Sequence, residues 1–189
     1  MSDEPSLGWL LISYRTPKQP STARVAAWRR LHRLGALYLG PSTCLLPLDL
    51  ADEQALSTVA GGITGAGGSI DTYRIEGFAD GAHRRLLARF NAERDAEYTE
   101  VVERAQALLA ELAEETRRGR FTFAEVEENE ADLVKLRRWM EAIGRRDRHG
   151  AAGRARARQA VDEAAAALRV FTERSVQATE DPAGETGVS

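Results

Sequence analysis

From Trp9 to Phe78 the hydrophobic pattern changes period in a fixed order, and that order limits the fold more than any other feature. "GWLLISY" (Gly8–Tyr14) is a short apolar run with aromatic ends, bounded by Pro17 and Pro20, and reads as a buried strand. "PST" then starts a helix, with Ser21 or Thr22 as N-cap, that runs to about Leu34 and ends at Gly35. "ALYL" and "TCLLPL" are two strands joined by the tight turn Gly40–Ser42, a hairpin. "ADEQALSTVAGGI" is a second helix, with Ala55, Leu56, Val59 and Ile63 at helical spacing, and Gly61, Gly62, Gly65, Gly67 and Gly68 then break the chain. "SIDTYRIEGF" alternates like a half-buried strand. The order β-α-β-β-α-β is the split βαβ, or ferredoxin-like, arrangement: a four-stranded antiparallel sheet with both helices on one face. The fold class expected is therefore α+β, with this domain over residues 1–78.

The rest reads as about three helices over residues 79–176, followed by a disordered polar tail over 177–189. Asp80 to Arg118 carries one apolar stripe that thins between Phe90 and Tyr98, where a bend fits. The next helix opens on a capping box, Thr122 with Glu125, and a hydrophobic staple, Phe121 with Val126. Leu133, Leu136, Trp139, Met140 and Ile143 form its stripe, and Gly144 is the expected C-cap. A basic loop leads to the last helix, about Arg154 to Val176, with Val161, Ala164, Ala165, Leu168 and Phe171 on one side. Three amphipathic stripes call for mutual packing.

Charge is segregated. The net charge of -3 excludes a globally basic nucleic-acid binder but not a local patch. Residues 20–34 hold Arg24, Arg29, Arg30 and Arg33 with no acid, and residues 144–158 hold six arginines against Asp147. At 100° per residue, Val25, Trp28, Leu31 and Gly35 cluster on one side of the first helix, opposite Arg29, Arg30 and Arg33. That arginine face reads either as a solvated surface or as a set of phosphate contacts. Arg24, on the apolar side, is expected to stack on Trp28 or to be buried for an anion or an ion pair, with Arg24 and Trp28 fixing the helix. The basic loop has the same two readings, helix-end charge or polyanion binding through Arg145 and Arg146.

Other chemistry is poorly marked. "GGITGAGGS" has the P-loop glycine spacing, but Gly68 stands where the lysine must be, and the stretch follows a helix. His32, His83, His149 and Cys44 are scattered, so no metal site and no cofactor are expected. One cysteine cannot form an internal disulfide, and Cys44 within an apolar strand reads as a packed thiol. No apolar run is long enough for a membrane span, and the acidic "MSDEPSLGW" start does not read as a signal segment, so a cytoplasmic protein is expected.

With helix and hairpin placed, "TARVAAWRRLHRLGALYLGPSTCLLP" resembles the N-terminal domain of the ChrB chromate-resistance family. That family shows an arginine at the helix start, then Trp-Arg-x-Leu, Leu-Gly-Ala and a strand ending Leu-Leu-Pro. Here these are Arg24, Trp28-Arg29-Arg30-Leu31, Leu34-Gly35-Ala36 and Leu45-Leu46-Pro47. "WLLISYRTP" and "FAEVEENEADLVKLRRWMEAI" also resemble the family's opening strand and acidic helix, so the likeness covers about Trp9 to Phe171. Two departures stand out: Ala26 where the family often has a second arginine, and Gly40-Pro41-Ser42 where its hairpin turn is often Arg-Asp-Gly. The resemblance implies a bacterial protein linked to the chromate response, with a DNA-binding regulatory N-terminal module. Longer members carry a further C-terminal domain, and the expectation is a short form without it. The fold also resembles that of metal-dependent nucleases with an acidic ligand at the end of strand 1. Ser13-Tyr14-Arg15 stands there, which does not support nuclease activity.

Together these readings give a non-enzymatic, homodimeric DNA-binding transcriptional regulator tied to chromate or oxyanion resistance, with an oxyanion as effector. Arg29, Arg30, Arg33, Arg145 and Arg146 are the candidate phosphate contacts. The alternatives are a protein-interaction module built on the long helices and, more weakly, direct chromate handling on clustered arginines with Cys44 as reductant.

Overall fold

The computed structural model describes residues 8–18, 22–79 and 81–180. The chain forms two compact units, Met1–Phe90 and Asn91–Ser189.

The first unit contains β1 (Trp9–Arg15), α1 (Thr22–Leu34), β2 (Leu37–Gly40), β3 (Thr43–Pro47), α2 (Glu53–Gly65), β4 (Ser69–Ile75) and the start of α3 (Ala82–Arg118). A 3-10 turn, Leu48–Leu50, which the sequence pattern does not announce, lies between β3 and α2. The sheet order is β2-β3-β1-β4, every neighbour antiparallel, as the split βαβ arrangement requires. β1 is central, with Ile12 opposite Cys44 on β3 and Thr72 on β4.

Alternation in the strands builds two cores. Even positions of β1, Ile12 and Tyr14, join Cys44, Leu46 and the inward residues of the helices, Ala27 and Leu31 of α1 with Val59 and Ile63 of α2. Odd positions serve the opposite face. Trp9 joins Leu37 and Leu45 there, covered by Leu86 and Phe90 of α3, with Phe90 edge-on to Trp9 at 5.8 Å between ring centres. Ala82–Phe90 thus belongs with the sheet.

Both helices of the first unit stop on glycine. Gly35 has φ 92°, and the Gly35 and Ala36 N–H groups donate to the His32 and Leu31 carbonyls. α2 runs through Gly61 and Gly62, within the expected helix, and continues two residues beyond Ile63 to Gly65, with Val59 and Ile63 buried in the core. Its end is set by Gly67, at φ 80°, and Gly68, whose N–H donates to the Ile63 carbonyl. A Cβ on Gly68 would lie 2.2 Å from the Arg15 carbonyl oxygen, so this stretch is a close helix-to-strand crossing rather than a loose connection. The candidate N-cap Ser21 and the expected helix start at Asp80 lie outside the described residues.

The second unit holds the rest of α3, α4 (Phe123–Arg146) and α5 (Arg154–Glu180). α3 is one helix, unbroken where its stripe thins. Their stripes meet as expected: Tyr98, Val101, Ala105, Leu108 and Leu112 with Leu133, Leu136 and Ile143, and with Ala157, Ala164, Leu168 and Phe171. Thr122 caps α4 by accepting from the Glu125 N–H, and Phe121 packs on the same core as Val126.

Gly144 is not the C-cap of α4. The helix continues two residues to Arg146 and is capped by Asp147, whose Oδ2 accepts from the Tyr98 hydroxyl at 3.1 Å and whose Oδ1 accepts from the Ala151 N–H at 3.0 Å. α5 likewise continues past Val176 to Glu180. Residues 177–180 of the expected tail are therefore helical, and residues 181–189 lie outside the described residues. Among the described residues no helix is long and apolar enough to cross a membrane.

Candidate functional site

α1 keeps Leu31 and Gly35 of its expected inward side but is turned so that Ala27 joins them in place of Val25 and Trp28. Ala27 and Leu31 are buried, whereas Val25 is 40% and Trp28 45% exposed. Trp28 therefore does not fix the helix by burial. Its ring stacks on His32 of the same helix, at 5.1 Å between centres and 11° between planes. Arg24 is exposed rather than buried. Its charge nevertheless reaches Tyr14 and opposes the dominant effect there, burial, which raises the phenol above its ordinary value.

The expected roles are thereby partly exchanged. Arg30, expected on the outward face, is half-buried and donates from Nη1 to the Thr58 carbonyl of α2 at 3.4 Å. Gly62 lies beside it, and a Cβ there would stand 3.4 Å from the same nitrogen, at the edge of ordinary contact. Arg30 ties α1 to α2, and with Arg33, Leu34, Ala55 and Thr58 it lines a groove of about 260 Å³.

The outward side of α1 carries Val25, Trp28, Arg29 and His32, flanked by Arg24 and Arg33. The helix contains no acid. Among the described residues none of Arg24, Arg29 and Arg33 forms an ion pair. The result is a stacked aromatic pair, Trp28 exposed and His32 half-buried, set among guanidinium groups without ion pairs. Trp28 belongs to this face; its spacing with Leu31 suggested the core only because Ala27, a small residue, carries the inward line.

Arg145 and Arg146 are neighbours with opposite placements. Arg145 is exposed. The Arg146 side chain is 11% exposed: Nη1 lies 2.9 Å from Glu97 Oε1, and Nε donates to the Ala142 carbonyl at 3.0 Å. Glu97 Oε2 lies 2.7 Å from Nε of the wholly buried Arg94. Arg146 is thus part of the interior of the helical unit, which takes it out of the exposed set expected from sequence. Glu97 lies 49 residues away, so no local signal marks it.

Cys44 is fully buried between Ile12 and Tyr38 in the sheet, beside the hydrogen-bonded hydroxyls of Tyr14 and Tyr38, 3.1 Å apart. Burial pushes its thiol up to about 12, which keeps it protonated and disfavours the reductant reading. Among the described residues no group of three or more His, Cys, Asp or Glu side chains could hold a metal ion.

No curated protein matches the chain. The family model described as "Protein ChrB, N-terminal" matches residues 24–182, from the first arginine of α1 to just beyond α5. That range spans most of the chain, which therefore belongs to the ChrB N-terminal family, a family linked to chromate resistance.

Proposed function

We propose that this chain is a non-enzymatic DNA-binding transcriptional regulator of a chromate- or oxyanion-resistance system, cytoplasmic and acting as a homodimer. The observation that carries the reading is the outward face of α1: Arg24, Arg29 and Arg33 exposed, without ion pairs among the described residues, around the stacked Trp28 and His32. Guanidinium groups left without carboxylates suit phosphate oxygens, which they grip through paired N–H donors. An exposed ring among them supplies a flat apolar surface for a base edge or thymine methyl. A second copy would present a second α1 and so a second half-site. An oxyanion effector would act by changing the fraction of chain able to bind DNA.

The test is an anisotropy titration of the full chain with DNA from upstream of its own operon and with scrambled DNA, at two salt concentrations, with and without chromate. The reading expects preference for the operon DNA and a loss of about tenfold or more in Arg29→Gln/Arg33→Gln, with a shallower dependence on salt. Release by chromate would assign sensing to this chain, and indifference to chromate would place sensing elsewhere. Equal, weak binding to every DNA would reject the reading. The exposed Val25–Trp28 stripe would then count as a protein contact.

A further inference from the structure

The helical unit carries a second basic surface, separate in sequence and in its elements from α1. An open groove of about 710 Å³ runs between the C-terminal half of α4 and the first turns of α5. Arg137 and Arg145 of α4, Arg148 of the connection, and Arg154 and Arg158 of α5 line it. Two acids, Glu141 and Asp162, also face it, so the lining is strongly positive.

The lining positions repeat on the two helices. On α4 they are 137, 140, 141, 144 and 145; on α5 they are 154, 158, 161 and 162. Each set lies on one helix face, and both contain the spacing i, i+4, i+7, i+8. Gly144 also lines the groove, with the Arg154 guanidinium 3.7 Å from where a Cβ would be, an ordinary contact distance. Among the described residues Arg137, Arg145 and Arg154 have no ion pair, and Arg158 meets Asp162 only at 3.9 Å.

The backbone amides before α5 are not the attraction. The Gly153 N–H donates to Asp95 Oδ1 at 2.7 Å and the Ala151 N–H to Asp147. The anion-seeking groups are side chains, and every cation of the groove is arginine. Their layout sets the shape of the ligand. A lone tetrahedral oxyanion is gripped by donors within one small shell, whereas Arg137 and Arg145 are rooted about 12 Å apart along α4. That span exceeds the spacing of adjacent phosphates in a polyphosphate or a nucleic-acid strand, so the two arginines suit phosphates more than one link apart in a chain. Met140 and Val161 are the apolar part of the lining, and Glu141 and Asp162 leave the arginines in excess.

We infer that the α4–α5 groove binds an extended run of phosphates, either the backbone of a nucleic acid or a free oligophosphate. This goes beyond the reading of α1 and does not rest on it.

The test uses the full chain carrying Arg29→Gln/Arg33→Gln, so that α1 contributes little. A fluorescein-labelled short oligothymidylate is titrated by anisotropy, and sodium tripolyphosphate and orthophosphate are each measured by calorimetry. The groove variant Arg137→Gln/Arg145→Gln/Arg158→Gln is compared with Arg138→Gln/Arg169→Gln/Arg174→Gln. The latter loses the same charge outside the groove, and helicity is checked for both. Tripolyphosphate is expected to bind, about tenfold weaker in the groove variant and nearly unchanged in the control, with partial rescue by Arg→Lys at the same positions. Oligothymidylate binding with the same variant pattern identifies a nucleic-acid backbone, and tripolyphosphate binding alone identifies a free oligophosphate. The inference is overturned if neither binds, if groove and control variants lose affinity equally, or if orthophosphate binds as well as tripolyphosphate. None of these outcomes depends on operon DNA, so failure here and failure of the α1 reading are separable.

Discussion

Arg145 and Arg146 are adjacent, carry the same charge and sit at the same helix end, yet their replacement by glutamine should have opposite consequences. Arg146→Gln removes the 2.9 Å ion pair with Glu97 and the 3.0 Å bond to the Ala142 carbonyl from an 11% exposed site. A charge-assisted bond contributes about 1.5–3 kcal/mol and a neutral one about 1 kcal/mol. Glu97 keeps its 2.7 Å contact with Arg94, so no carboxylate is left buried without a partner, and the larger cost of a stranded charge does not apply. The expected loss is about 2–4 kcal/mol. At about 4–8 °C per kcal/mol for a unit of this size, Tm falls by about 8–32 °C. Arg145 is exposed, and its replacement should stay within about 0.5 kcal/mol. Thermal and urea unfolding, followed by far-ultraviolet dichroism and by the fluorescence of Trp139, measures both. Trp139 is the one tryptophan of residues 91–189 and packs on that unit's core. Because both variants remove one positive charge, long-range effects of net charge cancel in the comparison. Equal shifts, or a loss below about 1 kcal/mol for Arg146→Gln, would refute the burial argument.

Three further expectations follow from single sites. Gly144 lies inside α4 with ordinary room for a methyl group, so Gly144→Ala should stabilise the helical unit by about 0.8–1 kcal/mol in urea unfolding; a loss would restore it as a helix end. Burial, then the hydrogen bond to Glu125, raises the Glu115 carboxyl above its ordinary value. A raised folded value stabilises fully below the unfolded value of about 4.3 and loses that contribution as pH rises through the folded one. Glu115→Gln should thus raise the urea midpoint at pH 7 and leave it nearly unchanged at pH 4, and an equal change at both would contradict this. Cys44, buried and with its thiol at about 12, should resist an aromatic disulfide reagent at pH 8 in the folded chain and react fully in urea; prompt reaction without urea would reopen its redox reading.

What could be read from the residues was whatever a local period encodes. Strand alternation in β1 and the stripes of α3, α4 and α5 place their side chains by counting, and the split βαβ order then fixes β2-β3-β1-β4. The contacts that were not legible are the ones decided by distant partners. Arg145 and Arg146 differ by 100° of helix and by nothing else in their neighbourhood; Glu97, 49 residues earlier, decides between them. Gly61 and Gly62 are poor helix formers held in α2 by Val59 and Ile63, seated under α1, where tertiary burial outweighs their propensity.

The inward face of α1 was the costliest ambiguity, because two apolar lines run along it. One is large, Val25 and Trp28; the other is small, Ala27 with Leu31. Counting hydrophobicity favours the large one, but packing favours the small one, since an alanine lets the helix approach the sheet and place Leu31 against Ile12 and Cys44. On the DNA-binding reading proposed above, the consequence is functional. A fully buried large side chain stabilises by about 1.5–3 kcal/mol, and the chain forgoes much of that for Trp28. Stability thus gives no reason for a tryptophan at that position. What surrounds it does: a stacked histidine, and guanidinium groups at Arg24, Arg29 and Arg33 that no carboxylate neutralises among the described residues. An apolar ring held in water beside uncompensated positive charge is unfavourable for the isolated chain on both counts, and a ligand with flat faces and anionic linkages relieves both at once.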